Sequence, residues 1–183
     1  VLGGLSAAVA EEARQIALGS VTVLRTIEDN IRGESLGNGG RQQVSDALSQ
    51  LVDDVEAWIS GVTSVSRARE AGNLLRTELR HWLVRSRTGL IGLDHGAEAG
   101  ASQSFLAHLL LNRAEGSDAL GESLDAALLE LPTPQGLRSR MLRAVEAIIG
   151  TISPDRPSDI AILQPSCGAL LAHLLPRLAH TGG

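Results

Sequence analysis

The side chains of this sequence that could bind or stabilise negative charge are arginines. All 16 of its Lys and Arg residues are arginine, and lysine is absent. Four of them recur at spacings of seven, four and seven residues, which predicts that they share one face of a helix. They are Arg69, Arg76, Arg80 and Arg87. A guanidinium is a planar fork of hydrogen-bond donors that matches a carboxylate. The pattern therefore predicts a surface that binds an acidic protein partner.

Two other interpretations of this arginine face stay open at the level of sequence. The face is either simply solvated or matched within the chain by the acidic residues of the preceding predicted helix. Those residues are Asp46, Asp53, Asp54 and Glu56. Nucleic acid is a poorer partner, since the formal net charge is -5 and aromatic residues make up only 2% of the chain.

Another arginine, Arg41, lies apart from these four. It follows the glycine-rich segment Gly37-Asn38-Gly39-Gly40 at the predicted start of an amphipathic helix. This segment lacks the Gly-Lys-Ser/Thr of a phosphate loop, so nucleotide binding by the chain itself is not predicted. An arginine at such a place can be inserted into the active site of another protein. There a guanidinium stabilises the charge that develops during phosphoryl transfer.

Two segments, 37–48 and 95–102, resemble the functional loops of the secreted bacterial Rho GTPase-activating effectors. The first holds Gly37-Asn38-Gly39-Gly40-Arg41 and Val44-Ser45-Asp46-Ala47-Leu48, and the second is His95-Gly96-Ala97-Glu98-Ala99-Gly100-Ala101-Ser102. The resemblance implies a helical bundle in which Arg41 is the catalytic arginine finger and Asp94, His95 and Ser102 help to bind a small GTPase. The sequence departs from the family's Gln-Trp-Gly-Thr loop, with His95 in place of the tryptophan.

No convergent set of residues predicts a metal, a cofactor or a nucleophile. Glu78 and His81 have the Glu-x-x-His spacing of di-metal helical bundles, but those sites need a second such pair and two more carboxylates. The single Cys167 cannot form a disulfide within the chain, and no Gly-x-Ser-x-Gly motif is present. We therefore expect no metal site and no cofactor, and an enzyme is the less favoured class.

Helical periodicity runs through nearly the whole sequence, which predicts an all-α, single-domain bundle of six to seven helices over 1–183. The helices expected are about 5–32, 41–60, 64–87, a fourth beyond 95, a fifth from about 118 to 131, a sixth from Thr133-Pro134 and a last region split by Pro165 and bent at Pro176. Gly89 is expected to stop the third helix, and Asp94 is expected to cap the fourth. No transmembrane segment is predicted.

The function that follows is a helical protein-protein interaction or regulatory module. Its alternatives are a GTPase-activating effector that uses Arg41 and a helical bundle that binds a small molecule in an interior pocket. The lysine-free composition, in which Ala, Gly and Leu dominate, suggests a high-GC bacterial source. We expect the protein in the cytoplasm, or inside a host cell if it is a secreted effector.

Overall fold

The computed structural model describes residues 7–31, 36–62, 64–95, 103–152 and 167–181. Apart from an isolated β-bridge between Ser86 and Gly116, the regular structure of these ranges is helical. The helices are α1 (Ala7–Ile31), α2 (Asn38–Ser60), α3 (Val65–Glu78), α4 (Arg80–Leu83), α5 (Arg87–His95), α6 (Gln103–Leu111), α7 (Ala119–Leu129), α8 (Pro132–Thr151) and α9 (Cys167–Thr181). The predicted all-α multi-helix fold is confirmed.

The chain divides into two compact units. The first takes in Val1–Leu93 and Ala114–Leu128, and the second Asp94–Arg113 and Leu129–Gly183, as far as these ranges are described. The single domain expected from the sequence stays a prediction. None of the described helices combines the length and the low polarity that a membrane crossing requires.

The first unit is built on α1, which packs against both α2 and α3. Its apolar stripe and those of α2, α4 and α7 meet in one core, as their periodicity predicts. The buried members of this core are Leu24, Ile27, Leu36, Val44, Leu48, Leu51, Leu79, Trp82, Leu120 and Leu124. A smaller cluster places Ala13 and Ala17 against Leu75, so small side chains on α1 mark its packing against α3.

The third helix was expected over 64–87, but α3 ends at Glu78, because the helical winding changes at Leu79. The amide of Trp82 donates to the carbonyl of Leu79 at 3.0 Å, and that of Arg85 donates to Trp82 at 3.1 Å. These are bonds to the third preceding residue, which wind the backbone more tightly than an α-helix. The turn brings both Leu79 and Trp82 into the core. The sequence has no glycine or proline at this turn from which it could have been predicted.

Gly89 does not end the third helix; it lies in the first turn of a separate helix, α5. Ser86 caps that helix, since its hydroxyl accepts a hydrogen bond from the Gly89 amide at 3.0 Å. A Cβ at position 89 would overlap the carbonyl oxygen of Leu83. The glycine is therefore used for close approach of two backbone segments. Asp94 lies within α5, so its predicted role as the N-cap of the next helix is wrong.

The carboxylate of Asp125, fully buried on α7, joins this turn to the loop that precedes α7. One oxygen accepts from the Ser86 hydroxyl at 2.8 Å and from the Thr88 amide at 2.6 Å. The other accepts from the Glu115 amide at 2.9 Å. A negative group at the start of α5 also complements the helix dipole. Asp125 thus fixes where α5 begins.

Arg85 adds a second link between these segments. Its guanidinium contacts Glu28 of α1 at 2.5 Å and Asp118 at 2.8 Å, and it lies 5.8 Å from the ring of Trp82. Burial alone would raise the pKa of Asp118, but the bonds from the Gly121 amide and Arg85 outweigh it and lower the pKa. Asp118 caps α7 through the same Gly121 bond, at 2.8 Å.

In the second unit, α6, α8 and α9 pack pairwise against one another. The end of α6 is set by Asn112, whose φ of 46° is the left-handed conformation common at helix ends. Arg138 of α8 contacts both Asn112 and Glu130, while Arg177 of α9 pairs with Glu146 at 2.6 Å. Pro176 lies inside α9. Its expected bend stays a prediction, and Pro165 lies outside the described residues.

Replacing Asp125 by alanine should lower the free energy of unfolding by roughly 3 kcal/mol or more, because buried donors from Ser86, Thr88 and Glu115 lose their acceptor. Urea unfolding measures the change. The control is Asp54→Ala, which removes an exposed carboxylate whose hydrogen bond within the described residues comes from Gln50. It should shift stability by about 0.5 kcal/mol or less. Equal stability of the two variants would contradict the role given to Asp125.

Candidate functional site

Three of the predicted arginines form one surface on α3 and α4. We call Arg69, Arg76 and Arg80 the arginine surface. Arg69 and Arg80 are exposed and Arg76 is half-buried. Leu79 lies between α3 and α4 with right-handed backbone angles (φ -88°, ψ -3°), and Arg76 and Arg80 on either side of it line one cleft. The face predicted from the spacing therefore survives the break up to Arg80.

A shallow cleft of about 270 Å³ opens beside Arg76 and Arg80. Its other lining residues are Asn73 and Thr77 of α3 and Leu93 of α5. The guanidinium of Arg76 donates to the side-chain oxygen of Asn73 at 2.9 Å, which holds it along the helix. The cleft thus combines two cationic groups, a hydroxyl and one apolar wall.

The arginine surface has no carboxylate partner in the described part of the chain. Two of the four acidic residues of α2 that could have matched it bond within their own helix: Asp46 accepts from Gln42 and Asp54 from Gln50, each at 2.8 Å. Arg85 differs sharply, since it is 17% exposed and holds two carboxylates. The intramolecular charge match left open by the sequence is therefore not made within these residues.

Gly72 lies on α3 between Arg69 and Arg76, in the interior of the helix. A Cβ built at this position would meet no atom of the described residues within 4 Å. Glycine destabilises a helix interior by about 1 kcal/mol relative to alanine, and no neighbour among the residues that the structure describes requires a glycine here. The position leaves an open notch in the middle of the arginine surface.

Arg87 does not belong to the arginine surface. It is the first residue of α5, after the turn at 84–86, and its amide donates to the carbonyl of Glu115 at 2.9 Å. Its exposed side chain lines a different cleft of about 250 Å³, together with Val84, Arg85, Ser86, Leu90, Glu115, Gly116 and Ser117. Arg87 was predicted on the same face because the spacing requires one continuous helix up to Arg87, whereas the chain forms three helices between Val65 and His95.

The residues implied by the effector resemblance fall in three settings. Arg41 is exposed at the fourth position of α2, and Asn38 to Gly40 are already helical, so the arginine stands on a helix and not on the expected glycine loop. Asp94 is exposed in the last turn of α5. His95 ends α5, with a side chain outside the described set, and Ser102 lies outside the described residues altogether.

The Glu-x-x-His pair does not gather further ligands. Glu78 lies 3.6 Å from Arg14, and the imidazole of His81 lies 4.0 Å from Glu28. Among the described residues, no three His, Cys, Asp or Glu side chains are grouped so that they could hold a metal ion.

The residues that complete the cleft were not among those predicted from the sequence. Leu93 comes from another helix, so no local spacing connects it with Arg76 and Arg80. Gly72 carried a usable signal, because a glycine in a helical pattern calls for a packing or functional reason. Asp125 carried none, since a lone aspartate in an amphipathic pattern is normally exposed.

Comparison of the chain with protein-family models, with curated proteins and with solved structures finds no match.

Gly72→Ala should raise the free energy of unfolding by about 1 kcal/mol, because it improves helix propensity and meets no neighbour. Urea unfolding measures the gain. Gly121→Ala is the control with the opposite sign, since a Cβ there would overlap the carbonyl oxygen of Arg85. A loss of stability in Gly72→Ala would mean that a contact within the fold uses the notch.

Proposed function

We propose that this chain is a helical protein-protein interaction module that binds an acidic partner through the arginine surface. The observation that supports the proposal is that Arg69, Arg76 and Arg80, exposed or half-buried on α3 and α4, have no carboxylate partner in the described part of the chain. The like charges of Arg76 and Arg80, which line the same cleft, repel each other. The arginine surface therefore does not stabilise the fold, which favours a role in binding a partner.

Arginine suits this role better than other cations. Its fork forms two parallel hydrogen bonds to a carboxylate, and it is enriched at the centres of protein interfaces. The cleft adds the apolar wall of Leu93 beside the charges. The whole chain carries a net charge of -5 and repels an acidic partner, whereas the arginine surface attracts it. This difference orients the partner toward the arginine surface as it approaches.

The double variant Arg76→Glu, Arg80→Glu should lose affinity for an acidic helix at least tenfold, while its stability changes by about 0.5 kcal/mol or less, as for other surface positions. The probe is a fluorescent, Glu-rich synthetic helical peptide, with binding followed by anisotropy. Affinity of the wild type should fall as salt rises, because the contacts are exposed ion pairs.

The matched control for this test is Arg67→Glu, Arg140→Glu. It makes the same change in net charge at exposed arginines outside the arginine surface. This control should bind the peptide with nearly the wild-type affinity. Equal loss in both variants would mean that only net charge matters, and a collapse of stability in the first would place its arginines in the fold's own support.

We infer as a second candidate that the chain accelerates GTP hydrolysis by a Rho-type GTPase through Arg41. The supporting observation is an exposed arginine near the N-terminus of α2, with no carboxylate partner among the described residues. The positive end of a helix dipole disfavours a cation at that end. Helix stability therefore does not account for Arg41.

If Arg41 is an arginine finger, Arg41→Ala should lower the acceleration by roughly 10³-fold or more, with the fold intact. Single-turnover hydrolysis of GTP measures it. Arg41→Lys should fail as well, because lysine keeps the charge and loses the planar fork. Arg25→Ala, at an exposed arginine of α1, is the control. No acceleration by the wild type would exclude this candidate.

A further inference from the structure

The exposed face of α2 is a second charged surface with no counter-charge. We call Asp46, Asp53, Asp54 and Glu56 the acidic surface. All four are exposed, whereas the opposite face of the helix buries Val44, Ala47, Leu48 and Leu51. None of the four pairs with an arginine within the described residues. The first unit therefore presents two surfaces of opposite sign that do not neutralise each other.

The two surfaces share the same spacing. Asp46 and Asp53 are seven residues apart, as are Arg69 and Arg76. Seven residues make nearly two helical turns and span about 10 Å, so each pair stands on one side of its helix at the same separation. Two such helices laid side by side form both ion pairs at once, in either direction.

Gly72 lies between the two arginines of this match and presents no side chain. A glycine on a helix surface allows the backbone or side chain of a second helix to come close. An exposed valine, Val65, stands at the N-terminal end of the same helix and adds apolar surface to its contact. The arginine surface thus has the relief of a helix-docking face as well as its charge.

We propose that the arginine surface of one copy of this chain docks on the acidic surface, on α2, of a second copy. This inference rests on the proposed function and names its partner. A single exposed ion pair stabilises a contact only weakly, so the association depends on several pairs formed together and on low ionic strength. Each copy offers both surfaces, which permits a reciprocal dimer.

Sedimentation equilibrium of the full chain tests the inference. At about 20 mM salt and high micromolar concentration the wild type should weigh more than its monomer mass of 19.2 kDa, and at about 500 mM salt it should return to that mass. Gly72→Gln should weaken the association at least tenfold while the helical circular-dichroism signal is kept. Arg67→Glu, Arg140→Glu should associate as the wild type does.

A charge exchange separates docking from damage to the fold. The variants Arg69→Glu, Arg76→Glu and Asp46→Arg, Asp53→Arg should each be monomeric alone, because their two surfaces carry the same sign. An equimolar mixture should associate again, since each reversed surface then meets its complement in the other chain. A misfolded variant could not be rescued in this way.

A wild type that stays monomeric at low salt, or a mixture that fails to associate, overturns the inference. The peptide titration distinguishes this failure from that of the proposed function. If the chain is monomeric and the Glu-rich peptide still binds the arginine surface, the partner is another protein. If the peptide does not bind either, the proposed function fails with the inference.

Discussion

The buried carboxylate of Asp125 is the constraint on which the organisation of the first unit depends. A carboxylate removed from water must be fully hydrogen-bonded, and this one takes its donors from Ser86, Thr88 and Glu115. These donors belong to two segments far apart in sequence from each other and near in space. The requirement for satisfaction therefore fixes the turn before α5 against the loop before α7.

The start of α5 in turn decides what stands beside the arginine surface. Leu93, six residues beyond the first residue of α5, is the apolar wall of the cleft that Arg76 and Arg80 line. Helix α5 is anchored by its cap, by the amide of Thr88 on Asp125 and by the close approach at Gly89. The cleft is thus formed by elements whose placement is determined elsewhere in the unit.

The arginines of the first unit fall into two physical classes. Arg85 is largely buried, held by Glu28 and Asp118, and it contributes to the fold. Arg69, Arg76 and Arg80 stand at the surface without carboxylates in the described part of the chain. Burying a cation requires paired charge, whereas a solvated cation can remain ready for a partner. This difference in environment, and not residue type, separates structural from binding arginines here.

The sequence by itself determined the all-α class, because helical periodicity is a local property. It also located the C-terminal end of α2, but it placed the start of that helix at Arg41, three residues later than Asn38. It did not determine the break at Leu79 or the helix after Ser86. Those follow from burial of Trp82 and from the bonds to Asp125, which join residues about 40 positions apart. Arg87 left the predicted face for the same reason. Only the tertiary structure decides which donors bond a buried carboxylate, since the energy of those hydrogen bonds depends on contacts that no local pattern encodes.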